Sequence, residues 1–341
     1  MKKALYYKTL EDGVVKCKLC PHYCLIGDNE HGLCNVRVNK EGNLYSEFFE
    51  KVTAVGLDPI EKKPLYHFYP GSVILSVGSL GCTMRCLFCQ NYRLSHPTPQ
   101  SYDDTNLFTV KAIVKLACEQ DNNIGIAFTY NEPGTFYEYM ISVAMLAKPA
   151  GLKTVMVTNG YINREPLEAI IPYIDAFNVD LKAFSESFYK SITSSRLAPV
   201  KKTISRIAKS QKHLEITNLV IPGMNDNYAE FEEMVRWIAS ETGDRTVLHI
   251  SRYFPNFQMQ IASTPINILL DLYGIAKKHL KYVYLGNVFD IERDTTYCDQ
   301  CHNTLIIREP GRTVISGLDK RGNCLKCGNH IIDHVYFEPA K

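Results

Sequence analysis

From Val73 to Gly286 the chain alternates between short runs rich in β-branched residues and longer amphipathic segments, and this alternation restricts the fold more than any other feature. The runs are VILSV (73–77), IGIAFT (124–129), KTVMVT (153–158), AFNVDL (176–181), EITNLVI (215–221), VLHIS (247–251) and YVYLG (282–286). Between them Val110, Ile113, Val114 and Ala117 fall at i, i+3, i+4 and i+7, as do Phe136, Tyr139, Met140 and Val143, then Phe231, Met234, Val235 and Ile238. Ile266, Leu269, Leu270 and Tyr273 give the same pattern behind a Thr264-Pro265 helix start. Such spacing gives each helix one apolar face, and strands alternating with helices build βαβ units on a parallel sheet. Polar residues gather where the runs end: a cysteine triplet after the first, YNEP after the second, TNG after the third, DLK closing the fourth and IPGMND closing the fifth. Chemistry at the C-terminal ends of several parallel strands favours a partial (β/α)6 barrel of the TIM type over an open doubly wound sheet.

The flanks of this region differ from it in composition. Residues 1–70 read as a Cys-rich module, with a hairpin turn at Glu41-Gly42-Asn43 and an extended linker DPIEKKPLYHFYPG punctuated by prolines; residues 71–290 carry the α/β pattern; residues 291–341 hold two CxxC pairs and read as a separate knuckle. With 45% hydrophobic residues among 341, the chain can bury a full core. A net charge of +2 is too balanced to advertise a nucleic acid or an anionic membrane as partner. The start MKKALYYKTLEDG lacks the apolar core of a signal peptide, so a cytoplasmic location is expected. In that compartment disulfides do not persist, and the 12 cysteines point to metal or redox chemistry.

Their positions separate them into Cys17, Cys20, Cys24 and Cys34 in front, Cys82, Cys86 and Cys89 in the middle, Cys298, Cys301, Cys324 and Cys327 at the back, and Cys118 alone. A structural zinc takes four ligands and a redox dithiol two. Three thiolates suit an iron–sulfur cubane with one iron left open to an exogenous ligand. Gly81 permits backbone close to such a cluster, Phe88 can shield it, and Asn91 follows on the same loop.

The motif Cys82-x3-Cys86-x-Phe88-Cys89 resembles the signature of radical S-adenosylmethionine (SAM) enzymes. With FTYNEPGTFYEY (128–139), MVTNGYI (156–162), NVDLKAF (178–184), TNLVIPGMND (217–226) and HISRYFPNF (249–257), the chain resembles the branch that contains pyruvate formate-lyase activating enzymes, and most closely the AmmeMemoRadiSam system radical SAM enzymes. The resemblance implies a [4Fe-4S] cluster on the loop after the first strand, SAM chelated to its open iron, and reductive cleavage of SAM to a radical that abstracts a substrate hydrogen. It also implies a flavodoxin- or ferredoxin-like electron donor and protein partners of the AmmeMemoRadiSam system. By position, Glu132 is expected at the SAM amino group and Asn131 beside it, where relatives carry Gly-Gly-Glu-Pro for Tyr130-Asn131-Glu132-Pro133. Thr158, Asn159, Asp180 and Lys182 match elements that lie against the SAM methionine moiety and a nearby cation, and Asn218 matches a polar SAM contact. Val157 departs from the Asp of activating enzymes.

The back set has the spacing of a tetrahedral site, with structural zinc the first expectation and an iron–sulfur cluster its rival. The front set offers four thiolates that would staple a segment too small to build its own core, with either zinc or an iron–sulfur cluster; His22 and His31 are alternative ligands. Cys118 reads as a buried core thiol. Lys62, Lys63, His67, His249 and Arg252 are polar candidates for facing a substrate, whose identity the residues do not reveal. Two other readings stand beside a radical SAM enzyme of unidentified substrate: an activase that makes a glycyl radical on a partner enzyme, and a non-catalytic zinc-ribbon adaptor.

Overall fold

A computed structural model describes residues 1–98 and 105–336. All seven runs become strands of one eight-stranded sheet: β1 (Ala54–Pro59), β2 (Val73–Gly78), β3 (Asn123–Phe128), β4 (Lys153–Thr158), β5 (Ala176–Asp180), β6 (His213–Val220), β7 (Val247–Arg252) and β8 (Val283–Gly286). The strands lie side by side in chain order. Those from β2 to β8 are parallel, while β1 runs antiparallel along β2. The expected count of six therefore becomes seven parallel strands and one antiparallel edge. The added edge, AVGLDP, alternates between partly buried and exposed residues and ends at Pro59, as a one-sided edge strand does.

Helices α1 (Val110–Glu119), α2 (Tyr137–Ala147), α3 (Arg164–Ile170), α4 (Glu186–Ile192), α5 (Leu197–Lys209), α6 (Tyr228–Thr242) and α7 (Ile266–Ala276) fill the connections. Side-chain caps start several of them: Thr109 Oγ1 accepts from Ala112 N–H, and Asn227 Oδ1 accepts from Ala229 and Glu230 N–H. Two expectations shift. In α7 the buried stripe is Leu269, Leu272 and Ala276, with Ile266 exposed, because Pro265 only caps the helix and the packed face is rotated. Cys118 is exposed, since it sits one residue, or about 100° of helix, beyond the buried stripe Ile113, Val114 and Ala117.

The strands' two-residue period sorts the sheet into unlike faces. One face carries Leu75, Val77, Ile126, Phe128, Met156, Phe177, Val179, Ile216, Leu248 and Ile250, which pack in a single core with the helices. The other carries small and polar residues, and its apolar cluster of Ile74, Ala127, Val155 and Ala176 is completed by Ile60, Leu65 and Phe68 rather than by a helix. The segment 60–72 thus departs from the expected extended linker: it is packed against the sheet, with Leu65 and Phe68 fully buried. Burying those two side chains contributes about 1.5–3 kcal/mol each.

Polar contacts fix the same segment. Asn178 Nδ2 on β5 donates to Pro64 O at 2.8 Å. Glu215 on β6 accepts from Tyr66 N–H at 2.9 Å and His67 N–H at 2.7 Å, and also bonds His213 Nε2 at 2.9 Å and His249 Nε2 at 2.6 Å. His67 Nε2 bonds Tyr284 Oη at 2.7 Å. His67 and His249 are therefore parts of a buried network beneath the strand ends.

At the front, two small antiparallel sheets form. Glu41 and Gly42 both take positive φ between Lys40 and Asn43, the two-residue hairpin turn expected there. At the back, the sheet Thr296–Tyr297, Thr304–Glu309 and Arg312–Ile315 packs with both CxxC turns against Val247, Tyr282 and Tyr284. Arg308 reaches Tyr66 O at 2.5 Å. No helix among the described residues is long and apolar enough to cross a membrane.

Burial raises the Glu215 pKa, but hydrogen bonds and charge from His213 and His249 outweigh it and hold the carboxyl well below its usual range. A depressed carboxyl contributes its stability above the unfolded value of about 4.3 and loses it as pH falls from there. Glu215→Gln is expected to cost about 3–5 kcal/mol at pH 7, and to show a smaller stability loss than the wild type between pH 5 and 3, both read by urea titration.

Candidate active site at the strand ends

The loop after β2 carries the cysteine triplet, and the neighbouring strand ends brace it. Asn131 Oδ1 accepts from Ser79 N–H at 3.1 Å, and its Nδ2 donates to Gly81 O at 2.8 Å. Thr135 Oγ1, bonded to Glu132 O at 2.7 Å, lies 3.1 Å from Leu80 O and 3.2 Å from Gly81 O. Gly81 itself has φ 86°, and a Cβ there would meet Cys34 O at 2.6 Å. The glycine is thus required where this loop passes the front module, a reason different from the cluster approach expected of it.

Cys82, Cys86 and Cys89 open onto one cavity of about 570 Å³ together with Phe88, Asn91, Asn131, Glu132, Thr158, Asn159, Asp180 and Lys182. These residues come from the C-terminal ends or following loops of four strands, β2 to β5, as the clustering of motifs implied. Asn218 is the exception. Its position in β6 turns it to the helix-facing side, where Nδ2 donates to Leu181 O at 2.7 Å and lies near Met234 Sδ; its neighbours Thr217 and Leu219 line the cavity instead. A strand's alternation separates adjacent residues onto opposite faces, so the motif located the strand end but not the facing side chain.

Glu132 is 3% exposed and receives donors from three places: Gly134 N–H at 3.0 Å, Thr158 Oγ1 at 2.8 Å and Asn159 N–H at 2.8 Å. Burial pushes its pKa up, against the pull of those hydrogen bonds. A carboxylate has about four acceptor sites, so one remains for a cationic group in the cavity. Asn159 Nδ2 lies 3.5 Å from Cys82 Sγ and 3.1 Å from Thr83 Oγ1, linking the TNG turn to the first thiol.

Lys182 Nζ pairs with Asp180 at 2.9 Å and stands 5.7 Å from the centre of the Phe88 ring. Although burial disfavours its charge, Asp180 and Cys86 hold its pKa above the ordinary range. Asn91 is committed elsewhere, donating to Tyr130 O at 2.6 Å. Tyr130 takes φ 70°, a left-handed conformation that glycine adopts without strain; its hydroxyl donates to Asp58 at 2.7 Å.

Several cavity residues escaped the motif reading. Asp58, Lys62, Lys63 and Pro64 come from β1 and the packed segment, and Thr217, Leu219, Ser251 and Asn287 from the later strands. Lys63 Nζ bonds Asp58 at 2.8 Å. Burial, the largest influence on Asp58, raises its pKa, but Lys63 and Tyr130 outweigh it and leave the carboxyl at about 2. Of these cavity residues, only Lys62 and Lys63 are among the polar candidates that the sequence offers for facing a substrate; Thr217 and Leu219, two residues apart on β6, share one face of the sheet. Arg252 is turned away, with Nε donating to Thr264 O at 2.9 Å.

The three thiols do not crowd a single point: among the described residues only Cys298, Cys301, Cys324 and Cys327 bring three or more His, Cys, Asp or Glu ligand atoms all within 4.8 Å of one another. A tetrahedral ion with metal–sulfur bonds of about 2.3 Å spaces its sulfurs about 3.8 Å apart. The back set meets this, at 3.6 Å for Cys298–Cys327 and 3.7 Å for Cys301–Cys324. Each CxxC turn closes on a residue with positive φ, His302 and Gly328, that lets its chain fold back over the metal position. This group can hold zinc or iron. The triplet, by contrast, is spread and desolvated: burial drives the Cys82 thiol well up and Cys86 to about 12. Three soft ligands around a larger inorganic core fit that arrangement. His22 lines the cavity of the front cysteines with its Nε2 bonded to Thr83 O at 2.7 Å, and His31 Nε2 bonds Glu47 at 2.7 Å.

A parallel sheet with a three-thiol loop after its first parallel strand and a buried carboxylate after the next defines a class of iron–sulfur enzymes. Residues 76–238 match the radical SAM superfamily model. An uncharacterized protein of Methanocaldococcus jannaschii is 38% identical over 334 residues, spanning 97% of this chain and 99% of its own. The (2S)-3-sulfopropanediol dehydratase activating enzyme of Klebsiella oxytoca is 20% identical over 121 residues, covering 36% of this chain and 38% of its own. The structure of Streptococcus suis SuiB bound to S-adenosylmethionine superposes with a TM-score of 0.50 and 16% identity, covering 67% of this chain and 53% of SuiB, a likeness of fold. Residues 76–238 form a radical SAM superfamily domain, and the chain is an enzyme. Membership implies an iron–sulfur cluster and SAM as cofactors.

Replacing Cys301 by Ala is expected to remove about one equivalent of zinc or iron and to lower the thermal midpoint, measured by elemental analysis and calorimetry, because the back module packs on β7 and β8 through this site.

Proposed function

We propose that the enzyme binds SAM against a [4Fe-4S] cluster held by Cys82, Cys86 and Cys89 and removes a hydrogen atom from a substrate lodged in the same cavity. The observation that carries this reading is that three cysteines, and no fourth among the described residues, line the cavity that Glu132 also faces. Held by these thiolates, a reduced cluster would supply the electron for reductive cleavage of SAM. The chain's own part is orientation and shielding. Glu132, fixed by Thr158 and the Asn159 amide, presents an acceptor for the SAM amino group. Asn159 steadies Cys82, while Lys182 and Asp180 place a paired charge beside Cys86. Phe88 covers one side of the triplet.

In this reading the sheet is a partial barrel whose interior is filled from below by residues 60–72, so that cofactor and substrate enter from the strand-end rim. Lys62, Lys63 and Asp58 then form the floor nearest the substrate. The back cysteines hold zinc, in keeping with their sulfur spacing. The resemblance of its motifs to the AmmeMemoRadiSam system enzymes supports a role in that system, and a flavodoxin- or ferredoxin-like protein would serve as electron donor. A glycyl-radical activase is the second reading, supported by the similarity of 36% of the chain to an activating enzyme.

Anaerobically reconstituted protein reduced with dithionite is expected to convert SAM to 5′-deoxyadenosine, detected by mass spectrometry, and Cys86→Ala to reduce this to background. A fully clustered wild type that makes none would overturn the proposal. In the same reaction, Glu132→Gln is expected to weaken SAM binding about 10-fold or more, the worth of one charge-assisted hydrogen bond of about 1.5–3 kcal/mol, read as a rise in the SAM concentration giving half-maximal rate.

A further inference from the structure

We infer that Cys17, Cys20, Cys24 and Cys34 hold a second iron–sulfur cluster, back to back with the Cys82 loop, and not a single zinc ion. The four side chains line one narrow cavity in the front module, walled otherwise mainly by apolar groups. Four unrelated core thiols would be packed into that space; these surround it instead, and an unfilled void in a core is costly.

The spacing of the sulfurs separates the two metals. At the back of the chain, four thiols converge to the distances of one tetrahedral ion. At the front no three do, since among the described residues the back set alone brings its ligand atoms within 4.8 Å of one another. One ion with metal–sulfur bonds of about 2.3 Å would leave such ligands out of reach. An inorganic core of several irons and sulfides bridges the difference, and four thiolates complete its ligand set. The four thiols are free of disulfide bonds.

A buried cation faces the same space. Arg37 is 1% exposed, its Nη1 lies 3.7 Å from Cys17 Sγ, and its Nε has no partner. Its guanidinium, paired with Glu138, supplies a fixed positive charge beside sulfur that a thiolate-bound, anionic cluster would meet.

The cavity shares a wall with the loop of the triplet. Thr83, next to Cys82, lines it, and His22 between Cys20 and Cys24 bonds Thr83 O at 2.7 Å. Thr83 continues through Asn159 to Cys82 Sγ. Two clusters so placed are separated by little more than one loop.

The inference stands on the front cysteines alone, so its test separates from that of the triplet. The variant Cys82→Ala/Cys86→Ala/Cys89→Ala, reconstituted anaerobically as the full chain, is expected to retain acid-labile sulfide and iron, about four of each for a cubane, with thiolate-to-iron absorption in the visible and a paramagnetic signal after reduction. Adding Cys20→Ser/Cys24→Ser should abolish all of these, which excludes adventitious iron. In the wild type, reduced, the two signals should broaden each other relative to the single-site variants. A triplet variant that binds no iron and sulfide, or carries a second zinc per chain, overturns the inference. Equal iron in the wild type and the triplet variant would instead count against the proposed function and leave the front cluster standing.

Discussion

Glu215 is the constraint on which the catalytic face depends. Its carboxylate is fully buried, yet it accepts two backbone N–H groups from residues 66 and 67 and bonds one histidine on its own strand and another on β7. An ionised group in that position is tolerable only when hydrogen bonds satisfy it. The same bonds hold the segment 60–72 against the polar face of the sheet, where Leu65 and Phe68 complete an apolar cluster that no helix covers. The inner end of the cavity is therefore made by a chain segment from outside the β/α series, and Lys63 reaches the cavity, beside Asp58 of β1, because that segment is anchored.

A second layer of constraint holds the cysteine loop. Asn131 and Thr135 bind the backbone at residues 79–81, Asn159 binds at Cys82 and Thr83, and His22 from the front module binds Thr83 O. Residues that the motif resemblance assigns to cofactor contact thus divide in two. Glu132 and Lys182 present charge to the cavity; Asn131 spends its amide on the loop that carries the thiols, and Asn91 on that loop bonds back to Tyr130 O. In YNEP positioning by Asn131 and binding by Glu132 share one motif, because consecutive residues of a turn point in different directions.

Much of this was legible in the chain. The seven runs of β-branched residues, the helical stripes and the cysteine spacings follow from periodicities of a few residues, and strand ends carrying polar motifs pointed to one face. Asn218 shows where that reading stops: its motif lies at the right strand end, but one residue of register decides whether a side chain meets the cavity or Met234. Cys118 shows the same for a helix, where one residue separates core from surface.

By itself the sequence determined the order of strands and helices, the three-thiol loop with its superfamily chemistry, and the existence of two further cysteine sets, because all of these are local patterns. Only the tertiary structure decided that the proline-rich segment packs on the sheet, that the back thiols converge on a point while the front thiols surround a space, and that the front set abuts the catalytic loop. Those outcomes depend on groups far apart in the chain, such as Tyr66 and Glu215 at a separation of 149 residues, whose meeting is governed by burial and hydrogen-bond satisfaction across the whole fold.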